Sequence, residues 1–259
     1  MIKRTGGVLV NIEILKQNRT SWNTVADHFN GIDALPGYGP FTQSEEELRL
    51  FDSIEGKNVL DIGCGSGHSL LYMNGQGAKD IWGVDLSDMQ IDRATEMLNG
   101  LDAQLYCAAM EEDIGLPEAY FDIVYSIYAI GWTLDLDRTF GLIYSYLKPG
   151  GSFVFSWDHP LYVHLKSEDG LVSLKGSYQD EGSVHYANFK GEDAPMTIPK
   201  RKFSTYLNAL LKAGFSIEQV VEPDVPHDLK DVEPEVSDRY YSLYKAQKFP
   251  TSFIIKARK

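Results

Sequence analysis

The stretch Val59-Leu60-Asp61-Ile62-Gly63-Cys64-Gly65-Ser66-Gly67 constrains this chain more than any other. The apolar run Asn58–Ile62 reads as a buried parallel strand. It stops at three glycines spaced two apart, and an apolar, helix-like run begins near His68. Strand, glycine loop and helix together bring bare backbone and a helix N-terminus up to a ligand. The spacing is not that of the dinucleotide fingerprint G-x-G-x-x-G, because the third glycine comes one residue early, at Gly67. Asp61 at the loop entrance would repel a pyrophosphate and attract an ammonium group.

A second acidic residue follows at the expected distance. Asp80–Val84 reads as a strand ending in Asp85, about twenty residues beyond the loop, where a carboxylate accepts both hydroxyls of a ribose. Ser87 and Gln90 cap the next helix. Ala103–Cys107 reads as a third strand and Phe121–Ser126 as a fourth. Asp135–Leu147 is helical, and Leu147-Lys148-Pro149-Gly150-Gly151 turns into a fifth strand, Ser152–Trp157. Strands alternating with helices call for a parallel sheet covered on both faces. Asp61, Asp85, Met110, Ser126 and Asp158 all emerge at its carboxyl edge, where ligands bind.

These motifs, from Val59 to Gly151, resemble the class I S-adenosylmethionine-dependent methyltransferases, in their small-molecule (type 11-like) branch. The resemblance implies an α/β, Rossmann-like, seven-stranded, mostly parallel sheet whose last strand, Phe249–Ala257, inserts antiparallel. It implies S-adenosyl-L-methionine as cofactor, held by Asp61, Gly63, Cys64, Gly65, Gly67, Asp85, Leu86, Met110, Glu111 and Ser126. The family's usual acidic residue after the third strand is here Ala109, so Glu111 or backbone is expected to meet the adenine amino group, with Met110 on the ring. Ser126-Ile127-Tyr128-Ala129 stands where DNA amino-methyltransferases carry Asn/Asp-Pro-Pro-Tyr, which argues against nucleic-acid chemistry.

Residues 1–55 are expected to form an N-terminal helical cover: an irregular end over 1–10, one or two helices over 11–30, and a capping-box helix from Ser44 through Phe51. Residues 56–259 form the methyltransferase domain, with a substrate lid inserted at about 158–202, a length of loop that is usually functional. Trp22, Tyr38, Tyr128, Trp132 and His185 are candidates to line the substrate space. Trp22 serves equally well as ordinary core packing. If the acceptor is a hydroxyl, His159 is the first choice of base, then His185 and Glu181. A structural role for a histidine before Pro160 weighs evenly against this.

The net charge of −13, from 37 acidic and 24 basic residues, disfavours a polyanionic partner such as nucleic acid or an anionic membrane. No apolar run approaches the roughly 20 residues of a membrane span. Two cysteines, Cys64 and Cys107, give neither a disulfide framework nor a metal spacing, so no metal and a reducing cytoplasm are expected. The expected activity is transfer of a methyl group to an O, N or C nucleophile of a small molecule, by a monomer or homodimer. A protein side chain as acceptor, a non-catalytic cofactor-binding relative, and a nicotinamide-dependent oxidoreductase on a similar sheet are the alternatives. The misplaced third glycine speaks against the last.

Overall fold

The computed structural model describes residues 5–29 and 35–259. Seven strands form one sheet: β1 (Asn58–Ile62), β2 (Asp80–Asp85), β3 (Ala103–Cys107), β4 (Phe121–Ile127), β5 (Leu147–Asp158), β10 (Ser216–Val221) and β11 (Ser252–Arg258). Their order is β10-β11-β5-β4-β1-β2-β3. The pairs among β1 to β5 are parallel, and β11 runs antiparallel between β5 and β10. Strand order reverses between β1 and β4, which opens a crevice at their carboxyl ends.

The alternation of side chains along each strand builds a core on both faces. Phe153, Phe155 and Trp157 of β5 join Phe253 and Ile255 of β11 under α5 (Leu136–Tyr146) and α6 (Phe203–Ala213). Val59, Tyr125, Val154 and Ile254 pack on the other face, with Leu70 and Met73 of α3 (His68–Gly75). On the near side, α4 (Asp88–Met97) opens on Ser87, whose Oγ accepts the Gln90 N–H at 3.2 Å.

Helix α1 (Thr5–Val25) begins inside the segment expected to be an irregular end, while residues 1–4 lie outside the described residues. It runs across the carboxyl edge of the sheet. The Asn18 side-chain amide donates to the Thr197 carbonyl at 2.8 Å and accepts the Thr197 N–H at 2.9 Å. Ser21 Oγ donates to the Pro195 carbonyl, and Asn23 binds Asp88. Helix α2 (Glu45–Leu48) is shorter than its capping box suggests. Arg49 takes a left-handed conformation, and the Glu45 carboxylate accepts the Leu50 and Phe51 N–H groups, ending the helix after one turn.

The insertion after β5 is made of two antiparallel hairpins. One pairs β6 (Leu165–Glu168) with β7 (Leu171–Leu174), the other β8 (Ser183–Tyr186) with β9 (Met196–Pro199). The acidic stretch before β11 carries a 3-10 turn at His227–Leu229 and one short α-helix, α7 (Leu243–Ala246). No helix among the described residues is long and apolar enough to cross a membrane.

Candidate active site

A partly roofed cavity of about 760 Å³ lies over the carboxyl ends of β1, β2, β4 and β5. The glycine loop forms its floor. The N–H groups of Gly63 and Cys64 are taken by the Val84 carbonyl, at 2.7 and 3.1 Å, which locks the loop to β2. Gly65 has φ +50°, and a Cβ there would meet nothing within 4 Å, so its bare face opens outward. Gly67 has another task. A Cβ there would sit 3.1 Å from Ala94 Cβ, so the missing side chain lets α3 and α4 pack closely.

Asp85 lines the cavity. Its carboxylate accepts the Gly65 N–H at 2.9 Å and the Ser87 N–H at 2.8 Å, so strand end, loop and next helix meet on one group. Two carboxylate oxygens carry about four acceptor positions, which leaves room for two incoming hydroxyls. Burial pushes its pKa up, and the Ser87 and Gly65 amides oppose that. Leu86, Met110 and Glu111 also line the space. Glu111 accepts the Leu134 N–H at 3.0 Å and the Thr133 hydroxyl at 3.2 Å, which fastens the loop after β3 to the loop after β4.

Besides Gly67, two further expected cofactor residues, Asp61 and Ser126, lie off the cavity lining. Asp61 shares the sheet face of Val59 and Tyr125 by strand alternation. It is buried beneath α3, where Ser69 Oγ donates to one oxygen and the other has no partner. It supports the loop from below and does not border the cavity. Ser126 is buried in β4 and donates to the Ile62 carbonyl at 2.7 Å, tying β4 to β1.

Burial raises the Asp61 pKa to about 7, with the nearby Asp85 charge adding to it and the Ser69 bond opposing it. The folded value therefore lies above the ordinary carboxylate value. As pH rises from about 4 to about 7, the unfolded chain releases a proton that the folded chain keeps, so stability falls across that window. Asp61→Asn should abolish this slope. Melting temperatures across the window should move in the variant's favour by several degrees relative to wild type, then level off. A parallel pH dependence of the two proteins would contradict it.

Among the cover candidates, Trp22, Tyr128 and Trp132 line the cavity. Trp22 does both jobs weighed for it. It borders the space and packs with Trp132 at 5.1 Å, Phe29 at 5.1 Å and Phe189 at 5.8 Å between ring centroids. Tyr38 is fully buried and donates to Glu45. His185 is exposed on β8 and binds Thr197 Oγ1 at 2.9 Å, while its neighbour Tyr186 faces the cavity.

His159 lies off the cavity edge: its backbone N–H donates to the Thr251 carbonyl of the segment leading into β11, and alternation at the end of β5 turns its side chain away from the side of Asp158. Its Nδ1 accepts the Leu161 N–H at 3.2 Å, so the proton is on Nε2, which donates to Glu222 at 2.9 Å. The ring packs on Phe203 and Phe253, and burial lowers its pKa. With both nitrogens engaged on the α6 side, His159 is a strut between β5 and the end of β10. Glu181 likewise holds the start of α6 through the Lys202 N–H and Thr205.

The remaining wall comes from residues outside the expected site list. Phe29, Phe189 and Tyr186 come from the cover and the second hairpin, Trp157 and Asp158 from the end of β5, and Tyr240 and Tyr241 from the acidic stretch. Asp158 was legible as a strand-end residue. The tyrosines were not, since residues 222–247 show no period that assigns them to a face.

Residues 44–220 match a family model described as a methyltransferase domain. The chain is 29% identical over 227 residues to an uncharacterised protein of Haemophilus influenzae, covering 82% of this chain and 85% of that one. It is 33% identical over 115 residues to the malonyl-[acyl-carrier protein] O-methyltransferase of Pectobacterium atrosepticum, covering only 44% of either chain. A solved S-adenosylmethionine-dependent methyltransferase of Mesorhizobium loti superposes with a TM-score of 0.69 at 28% identity, over 83% of this chain and 96% of that one. The family model takes in the glycine loop and more than half of the chain, and the chain belongs to the S-adenosylmethionine-dependent methyltransferase family.

Proposed function

We propose that the protein methylates a small molecule held between the glycine loop and the β4–β5 end of the cavity. The observation that carries this is the continuity of the cavity: one hollow is bordered by Gly65 and Asp85 at one end and by Trp157 and Asp158 at the other. The open face of Gly65 and the spare acceptor positions of Asp85 suit a nucleoside diol. When bound, S-adenosylmethionine supplies an electrophilic methyl group on a sulfonium.

The chain's own residues orient and enclose. Asp85 fixes the sugar, and Met110 lies against the loop, 3.8 Å from where a Gly63 Cβ would stand. Trp22, Phe29, Trp132 and Phe189 interlock above and exclude water. Orientation of two reactants in a dry site lowers a barrier by about 7–11 kcal/mol. The same roof supports a small acceptor over a protein side chain, which would need an open groove.

Calorimetry should show S-adenosylhomocysteine bound with a micromolar or tighter dissociation constant. Release of S-adenosylhomocysteine from S-adenosylmethionine should then appear with members of a small-molecule acceptor panel. No binding of either cofactor form would defeat the proposal. Binding without turnover on any acceptor would favour a non-catalytic relative, and turnover only on polypeptides would favour the protein-directed alternative.

A further inference from the structure

Resting on that function, we infer that the cluster of Asp158 with Tyr128, Tyr240 and Tyr241 is the acceptor subsite, and that it takes a cationic, amine-bearing group.

The cluster is built around a carboxylate without a counter-charge. Asp158 Oδ1 accepts the Tyr128 hydroxyl and, at 2.6 Å, the Tyr241 hydroxyl, while Oδ2 has only the Tyr240 hydroxyl at 3.4 Å. No lysine or arginine pairs with it among the described residues. The Lys245 ammonium sits over the Tyr162 and Tyr240 rings, 5.2 and 5.7 Å from their centroids, with no ion pair to Asp158. A half-buried carboxylate met only by neutral phenols is left without a counter-charge, and a cation entering from the cavity would supply one. Oδ2 is the oxygen left under-used.

The surroundings match the same ligand. Tyr128, Trp157, Tyr186, Tyr240 and Tyr241 all border the cavity around Asp158, and aromatic faces attract ammonium groups. Tyr128 is held in a left-handed conformation, φ 57°, where its ring reaches Trp157 and its hydroxyl reaches Asp158. A bulky residue persists there only where its surroundings over-determine it.

Position separates this subsite from the cofactor end. Strands β5, β4, β1 and β2 are successive neighbours, so Asp158 and Asp85 stand three strand spacings apart, about 14 Å. The glycine loop and the end of β4 lie between them. An acceptor anchored at Asp158 therefore approaches from the side opposite the sugar.

The test compares benzylamine, charged at neutral pH, with benzyl alcohol, by calorimetry with and without saturating S-adenosylhomocysteine. Benzylamine should bind about tenfold more tightly, equivalent to about 1.4 kcal/mol. Asp158→Asn should erase that preference while S-adenosylhomocysteine binds as before. Tyr241→Phe, which keeps the carboxylate, should retain the preference and guards against a variant that fails to fold. Equal affinities in the wild type, tighter binding of the alcohol, no binding of either probe, or a preference that survives Asp158→Asn would each overturn the subsite. Loss of S-adenosylhomocysteine binding with the amine preference intact would instead overturn the methyl-transfer reading.

Discussion

Asp85→Ala should weaken S-adenosylhomocysteine binding by about a hundredfold or more. Hydrogen bonds to a charged group contribute about 1.5–3 kcal/mol each, and a ribose diol makes two. The substitution also frees the Gly65 and Ser87 N–H groups, which the carboxylate now holds at 2.9 and 2.8 Å. The loop then loses the anchor that presents its bare face. Asp85→Asn keeps the shape and one acceptor oxygen, and should fall between wild type and alanine. Calorimetry on both variants, with circular dichroism to show an intact fold, checks this. Alanine binding within a factor of about three of wild type would remove Asp85 from the cofactor site, because such a change is under 1 kcal/mol.

Gly63→Ala should be strongly disruptive for a change of one methyl group. A Cβ on Gly63 would stand 2.3 Å from Ala129 Cβ, at φ +83°. The left-handed conformation costs a residue with a side chain about 1–2 kcal/mol. Forcing the methyl against Ala129 adds about 1–3 kcal/mol. The total, about 2–5 kcal/mol, corresponds to a fall in melting temperature on the order of 10 °C for a domain of this size. Relief requires the loop to part from the end of β4, so cofactor affinity should fall with it. Gly65→Ala is the control. Its Cβ points into open space, so folding should suffer less while binding still suffers from a methyl group on the open face. Thermal melts that rank Gly65→Ala below Gly63→Ala would contradict this account.

Much of the architecture is readable in the sequence. The five parallel strands, the Asp85 strand end and the inserted antiparallel strand each carry a local signal: a short apolar run, a turn signature, or a capping pair such as Ser87 with Gln90. What escaped depends on contacts distant along the chain. Asp61 was expected at the cavity with Asp85. Strand alternation, legible in principle from Val59 and Leu60, turns it under α3 instead. His159 followed a strand end, but its N–H bond to Thr251 and its contacts with Phe203 and Phe253 carry it to the α6 side. Tyr240 and Tyr241 reach Asp158 across more than eighty residues, and nothing near them in sequence announces it.

The amide clasp between Asn18 and Thr197 has a consequence for timing. Its partners are 179 residues apart, whereas the sheet beneath pairs mainly through short crossovers. Contacts of such long range close late in folding and, being few, release early. The clasp, with the Ser21 bond to the Pro195 carbonyl beside it, is thus the part expected to open first, while the platform beneath stays whole.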